Sequence, residues 1–180
     1  MQAEFPLAIA IREFQGLKKL ADRAMGQLSD NQLFSSPGED DNSIALIMKH
    51  MSGNMRSRWV DFLTSDGEKP DRNRENEFVL TTEDSAASLR KHWDEGWSIL
   101  FNAISPLQQH DLETTVTIRG EQLSVLQAIV RQLTHYAYHT GQIVYIAKYL
   151  TGKRWTSLSI PKGESEKFNR NHGSYPDRSR

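Results

Sequence analysis

The stretch Ser124-Val-Leu-Gln-Ala-Ile-Val-Arg-Gln-Leu-Thr-His-Tyr-Ala-Tyr-His-Thr-Gly-Gln-Ile-Val-Tyr-Ile-Ala-Lys-Tyr-Leu-Thr-Gly152 reads as one long helix that opens at Ser124 and runs to about Leu150. Val125, Ile129, Leu133, Tyr136, Ala137, Ile143 and Val144 form a broad apolar arc at helical spacing. Ser124 and Gln127 have the spacing of a capping box at its start, and Gly152 stands where a C-terminal stop belongs. A second seam borders the arc: Ala128, Gln132, His135, His139, Gln142 and Ile146, stepping alternately by four and three. Such a helix is expected to be buried around more than half its circumference, with two histidines on the rim of the buried part.

Three further helices are read upstream. The first spans about Glu4 to Leu28, with Leu7, Ala10, Ile11, Phe14, Leu17, Ala21, Met25 and Leu28 on one face. The second starts after Ser43 as N-cap and reaches about Thr64, with Ile44, Ile47, Met48, Met51, Met55, Trp59 and Phe62 inward. A charged loop, Ser65 to Leu80, follows. The third starts near Thr81, where Thr81 and Asp84 have capping-box spacing, and ends at Ser105-Pro106. Its stripe is Ala86, Leu89, Trp93, Trp97, Leu100 and Ile104, and the tryptophans are read as packing. Between Leu112 and Ser124, β-branched alternation around Arg119-Gly120-Glu121 predicts at most a small hairpin. The fold class is therefore all-α, a four-helix bundle whose long connections allow crossovers. Residues 1–152 are read as the metal-binding bundle domain. Residues 153–180 are read as a polar, irregular tail, packed in part through Trp155, Leu158 and Ile160.

Composition narrows the function classes. The 180 residues carry a formal net charge of -1, with 37% hydrophobic and 25% charged residues, which suits one globular domain. Near-neutral charge gives no electrostatic case for nucleic acid or an acidic membrane, and nucleic-acid binding through the basic tail is a minority reading. No run of apolar residues is long enough for a membrane span. The first residues do not resemble a signal peptide, so a cytoplasmic location is expected. There are no cysteines. Disulfides, thiol nucleophiles and cysteine-held metals are excluded, and any metal must be held by His, Asp, Glu or water.

His135 and His139 lie four residues apart, on one face of a helix, and can converge on one ion. Placed on a buried rim they would be costly to desolvate without partners, and Gln132 and Gln142 are one turn away as hydrogen-bond partners. A third ligand must come from another helix. His92 reads as solvated, His110 falls in a connection and His172 in the tail. His50, on the shoulder of the second helix, is the best placed, although an ordinary surface histidine reads the same way. No His-Glu-x-x-His, Glu-x-x-His, phosphate-loop or Gly-x-Ser-x-Gly pattern occurs.

His135-Tyr-Ala-Tyr-His139-Thr-Gly141-Gln142-Ile143 resembles the last-helix motif His-x-x-x-His-x-Gly-Gln-Ile of the DinB/YfiT-like superfamily. His50-Met-Ser-Gly-Asn54, Asp66-Gly-Glu-Lys69, Arg72-Asn-Arg-Glu-Asn-Glu-Phe78 and Ser159-Ile-Pro-Lys-Gly163 resemble an uncharacterised, damage-inducible-protein-like branch of it. The resemblance implies a four-helix bundle with a long crossover, and His50, His135 and His139 on one divalent metal with water completing the shell. It implies a homodimer, and a metal-dependent transferase using a low-molecular-weight thiol or a hydrolase acting on a small molecule. Thr140 stands where many relatives have Arg.

Zinc or nickel is the first expectation; iron, manganese and copper also suit imidazole. An ion held by three neutral imidazoles keeps its full charge, lowers the pKa of a bound water to near 7 and holds a thiol as thiolate. Asn54, Arg58 and Gln142 are the candidates for groups acting beside it. Arg72 and Arg74 could bind the carboxylates of a peptide-like thiol, or belong to a self-compensating charged loop. The rival reading is a non-catalytic metal-binding bundle acting through protein–protein interaction.

Overall fold

The computed structural model describes residues 6–171 in full and the backbone of residue 172. The chain is predominantly helical. Four long helices carry the core: α1 (Pro6–Met25), α3 (Ile44–Trp59), α4 (Ala86–Ile104) and α5 (Val125–Thr151), with α2 (Asp30–Leu33) a single turn between the first two. The reading of the first helix upstream of Pro6 lies outside the described residues.

The packing pairs are α3 with α4, α1 with α5, α3 with α5, and α1 with α4. Helices α1 and α3 therefore sit diagonally, as do α4 and α5, and the connections joining each of these pairs cross the bundle. The charged loop after α3 joins neighbours instead. Its length lays polar side chains against α3.

The apolar stripes meet as their spacing requires. Phe14, Trp59, Trp97 and Tyr136, one from each long helix, are almost wholly buried and meet edge-on or tilted, with ring centroids about 6 Å apart. Gly96 lets α4 approach α3, since a Cβ there would lie 3.1 Å from Met55 Sδ and 3.3 Å from Ser52 Cα.

Caps explain where helices start. Ser43 Oγ accepts from Leu46 N–H at 3.3 Å, and Ser124 exchanges bonds with Gln127. Two expected boundaries shift. Helix α4 begins at Ala86 because Ser85 and Ser88 form the reciprocal cap. Asp84 is engaged by Lys49 of α3 at 2.7 Å, and its bonds from Thr81 close a turn rather than a helix. Helix α3 stops at Trp59, because Val60 turns extended and Asp61 takes a positive φ of 49°.

The expected hairpin is present as β1 (Thr115–Ile118) and β2 (Glu121–Ser124), antiparallel, with Arg119 and Gly120 both at positive φ in the two-residue turn. Asp66 fastens it to the loop after α3 by accepting from the N–H groups of Arg119 and Gly120, each at 2.8 Å. Beyond Gly152, which has a φ of 57°, Trp155 and Leu158 pack on the core. Helix α6 (Ser165–His172) adds eight residues of order to a segment read as irregular. Residues 173–180 of the expected tail lie outside the described residues.

Candidate metal centre

Helices α3 and α5 pack face to face, and this brings His50 against His135 and His139. The three rings present ligand nitrogens that all lie within 4.8 Å of one another. His50 and His139 are buried and His135 is half-buried. The Nε2 atom of His135 stands 3.4 Å from Nε2 of His50 and 3.0 Å from Nε2 of His139. Two imidazole nitrogens on a tetrahedral zinc, each ~2.0–2.1 Å from the ion, are ~3.3 Å apart.

The outer nitrogens settle which way the protons point. His50 Nδ1 lies 2.8 Å from Glu77 Oε2. An ionised carboxylate only accepts, so Nδ1 carries a hydrogen, and in the neutral ring Nε2 presents a lone pair. His139 Nδ1 likewise donates to Gln142 Oε1 at 2.8 Å, while Gln142 Nε2 donates to Tyr138 Oη at 3.3 Å. Two lone pairs are thus aimed at His135 Nε2, which can offer one hydrogen at most. Burial, helped by the neighbouring His139 and His50, pulls His135 down to about 3, so it is neutral at pH 7. Burial also lowers His139, with the bond to Gln142 opposing and His50 adding. The site holds more lone pairs than hydrogens, a deficit that a cation fills. The donor set fits a divalent metal.

Glu77 is the neighbour of the histidines that sequence reading did not single out. It sits in a 3-10 turn, Glu75–Phe78, within the charged loop, and is 7% exposed. Burial alone would raise its pKa. Hydrogen bonds from His50 and Arg72 outweigh burial and hold it below the ordinary carboxylate range. Arg72 grips both oxygens, Nε to Oε1 at 2.8 Å and Nη2 to Oε2 at 2.9 Å. Phe78 stacks on His50 with centroids 4.7 Å apart, and Arg74 lies over Phe78 at 5.0 Å. Gly53, one turn along α3 from His50, is where the carboxylate enters, since a Cβ there would lie 2.5 Å from Glu77 Oε1. A glycine inside a helix near a candidate ligand is the local signal that could have pointed to such an approach.

The other candidates are placed as follows. Gln142 orients His139. Asn54 turns away from the histidines and accepts from Tyr136 Oη at 3.0 Å. Arg58 Nη1 donates to the Gly67 carbonyl, to Ser57 Oγ at 3.3 Å and to Glu68 Oε2 at 2.9 Å. Gln132 is buried with no hydrogen bond from Oε1 to the described residues, and is not a partner of either histidine. Thr140 is buried, so it does not stand in for the Arg of the resemblance. Ala137, read as part of the apolar arc, is exposed. His92 is exposed, as read, and His110, read as lying in a connection, is exposed as well. The side chain of His172 lies outside the described residues.

No curated protein matches this sequence. Residues 2–164 match the family model described as "Protein of unknown function (DUF1572)", so the chain belongs to that family, with the three histidines, Glu77 and Gln142 all inside the matched span.

Proposed function

We propose that His50, His135 and His139 hold one divalent metal ion, zinc or nickel first, and that the chain is a metal-dependent enzyme of the wider DinB/YfiT-like kind. The observation that carries this reading is the convergence of two lone pairs, each locked by a partner on the opposite ring nitrogen, on a third neutral imidazole. When bound, such an ion supplies Lewis acidity and a nucleophile active at neutral pH. The chain's own residues do the rest. Three uncharged ligands leave the ion's charge undiminished, Glu77 and Gln142 fix the ring orientations, and Phe78 shields His50 on one face.

Hydrolysis is placed ahead of transfer from an anionic thiol. Arg72, one of the two loop cations read as able to bind the carboxylates of such a thiol, is taken up by Glu68 and Glu77, and Arg58 by Glu68; Arg74 is half-exposed beside Glu75. A cleft of about 540 Å³ beside Gln142 is bordered by Asp40, Asp41, Tyr138 and Tyr145, with no Lys, Arg or His among its lining residues. Within that cleft a neutral or cationic group fits better than an anionic one, whereas the cleft of about 440 Å³ beside Glu77 is bordered by Lys49, Arg56 and His92. A purely structural metal is the second reading, favoured by the way the cluster ties α3, α5 and the charged loop together. Homodimer formation follows from the resemblance alone and a cytoplasmic location from the N-terminal sequence, and both belong to this reading as expectations. None of the described helices is long and apolar enough to cross a membrane.

The test is metal analysis of protein purified without added metal, with His135→Ala and His139→Ala as controls, beside ester, amide and phosphoester hydrolysis with and without a chelator. One ion per chain, lost in both variants, together with chelator-sensitive turnover, is the expected result. Absence of stoichiometric metal after loading with zinc and nickel would overturn the site. A large drop in melting temperature on chelation, with no turnover of any substrate, would make the metal structural.

A further inference from the structure

Glu77 stands 27 residues from His50 and comes from a loop, yet it is buried against the ring and gripped through both oxygens by Arg72. Arg72 is in turn held by Glu68 at 3.1 Å, and Glu68 also accepts from Arg58 at 2.9 Å and from Arg119 at 3.0 Å. Asp66, two residues earlier, bonds the hairpin turn. One unbroken chain of charge-assisted hydrogen bonds thus runs from the His50 ring through the loop to α3 and β1–β2. Absence of a side chain at Gly53 leaves the space that the carboxylate occupies.

We propose that Glu77 is the positioning residue of the histidine centre, and that its clamp by Arg72 makes metal loading and the seating of residues 68–78 a single linked event. The proposal rests on the metal reading above and deepens it by naming what regulates the site. Glu77 holds the hydrogen of His50 on Nδ1 and thereby keeps the lone pair on Nε2, where an ion needs it. Without the carboxylate the ring is free to rotate or to carry its hydrogen on Nε2, and the ligand set falls to two. By linkage the converse holds: an ion on Nε2 strengthens the Nδ1–H bond to Glu77 and draws the loop down.

The test uses the full chain and zinc as the probe. Zinc affinity is measured by competition with a chromogenic chelator for wild type, Glu77→Gln and Glu77→Ala, each checked for native circular dichroism. Amide hydrogen exchange of residues 68–78 is followed with and without zinc. Glu77→Ala is expected to weaken zinc by ~10–100-fold. Glu77→Gln is expected to fall between, because its carbonyl still accepts from His50 while Arg72 loses its bidentate partner. Zinc should slow exchange in the loop of wild type and leave that of Glu77→Ala unchanged. In a His50→Ala background, removing Glu77 should change the residual affinity no further, which a merely structural role would not produce. If Glu77→Ala does not fold, the nearly isosteric Glu77→Gln decides. Wild-type affinity in a folded Glu77 variant, or loop exchange indifferent to zinc in wild type, would overturn the proposal while leaving the three-histidine site standing. Wild type that takes up no zinc overturns both.

Discussion

Two polar clusters are buried between the same pair of helices, and they are built on opposite principles. At Tyr136 the hydroxyl both accepts and donates: Trp59 Nε1 donates to Tyr136 Oη at 3.1 Å, and Tyr136 Oη donates to Asn54 Oδ1 at 3.0 Å. Burial pushes the Tyr136 phenol above its ordinary range, so it remains a donor. One residue earlier, His135 faces two lone pairs and can answer only one. The first cluster is complete as protein. The second, with its rings neutral, has more lone pairs than hydrogens, the balance that the proposed metal would complete. His50 and Asn54 share α3, and His135 and Tyr136 share α5, so proximity to the core does not separate the two roles. The balance of donors and acceptors does.

That contrast can be tested from both sides. The largest effect is expected from pH on metal-free protein. His135 and His139 have folded-state pKa values below their ordinary 6.5, that of His135 at about 3, chiefly through burial. The unfolded chain therefore binds more protons between about pH 3 and 6.5. Stability is full above that window and is lost as pH falls through it. Urea midpoints from pH 7 down to 4 should fall steeply, and His135→Ala should flatten the slope. A midpoint equally flat in both proteins would refute the assignment.

Next in size, Tyr136→Phe strands the Trp59 N–H and the Asn54 carbonyl. It should cost ~1–3 kcal/mol in urea unfolding with metal content unchanged. If metal is lost as well, the two clusters are coupled and the contrast is too sharp. Gly53→Ala acts on the other side. Its Cβ would displace Glu77, so zinc affinity should drop ~10-fold, the low end for loss of an outer partner. The same change gains up to ~1 kcal/mol of helix propensity but unseats a buried carboxylate from Arg72, so the melting temperature of the metal-free protein should fall. The smallest effect belongs to Arg74→Ala. Arg74 lies over Phe78 from solvent, and its loss should cost ~0.5–1 kcal/mol at most in thermal unfolding and leave the zinc titration as it was.

The contrast also bears on what each residue announces in isolation. Asn54, four residues after His50, looked like a group aimed at a ligand and is a partner of Tyr136. Arg58 looked available to a substrate and is consumed by the Gly67 carbonyl and Glu68. Arg72 and Glu77 did form the self-compensating pair that their loop suggested, and the same pair is also the outer support of His50. A charge pattern shows which groups can pair, and burial shows what else the pair is holding.

Local chemistry alone was enough for the four long helices, the serine caps at Ser43 and Ser124, the hairpin and the shared face of His135 with His139. Each rests on residues within a few positions of one another, where backbone geometry makes spacing equivalent to direction. Helix packing was needed to bury His50 against that pair, to seat Glu77 behind it and to turn Asn54 and Arg58 elsewhere. Those partners are tens of residues apart along the chain, and a helical period states which face is apolar but not which face of another helix it will meet.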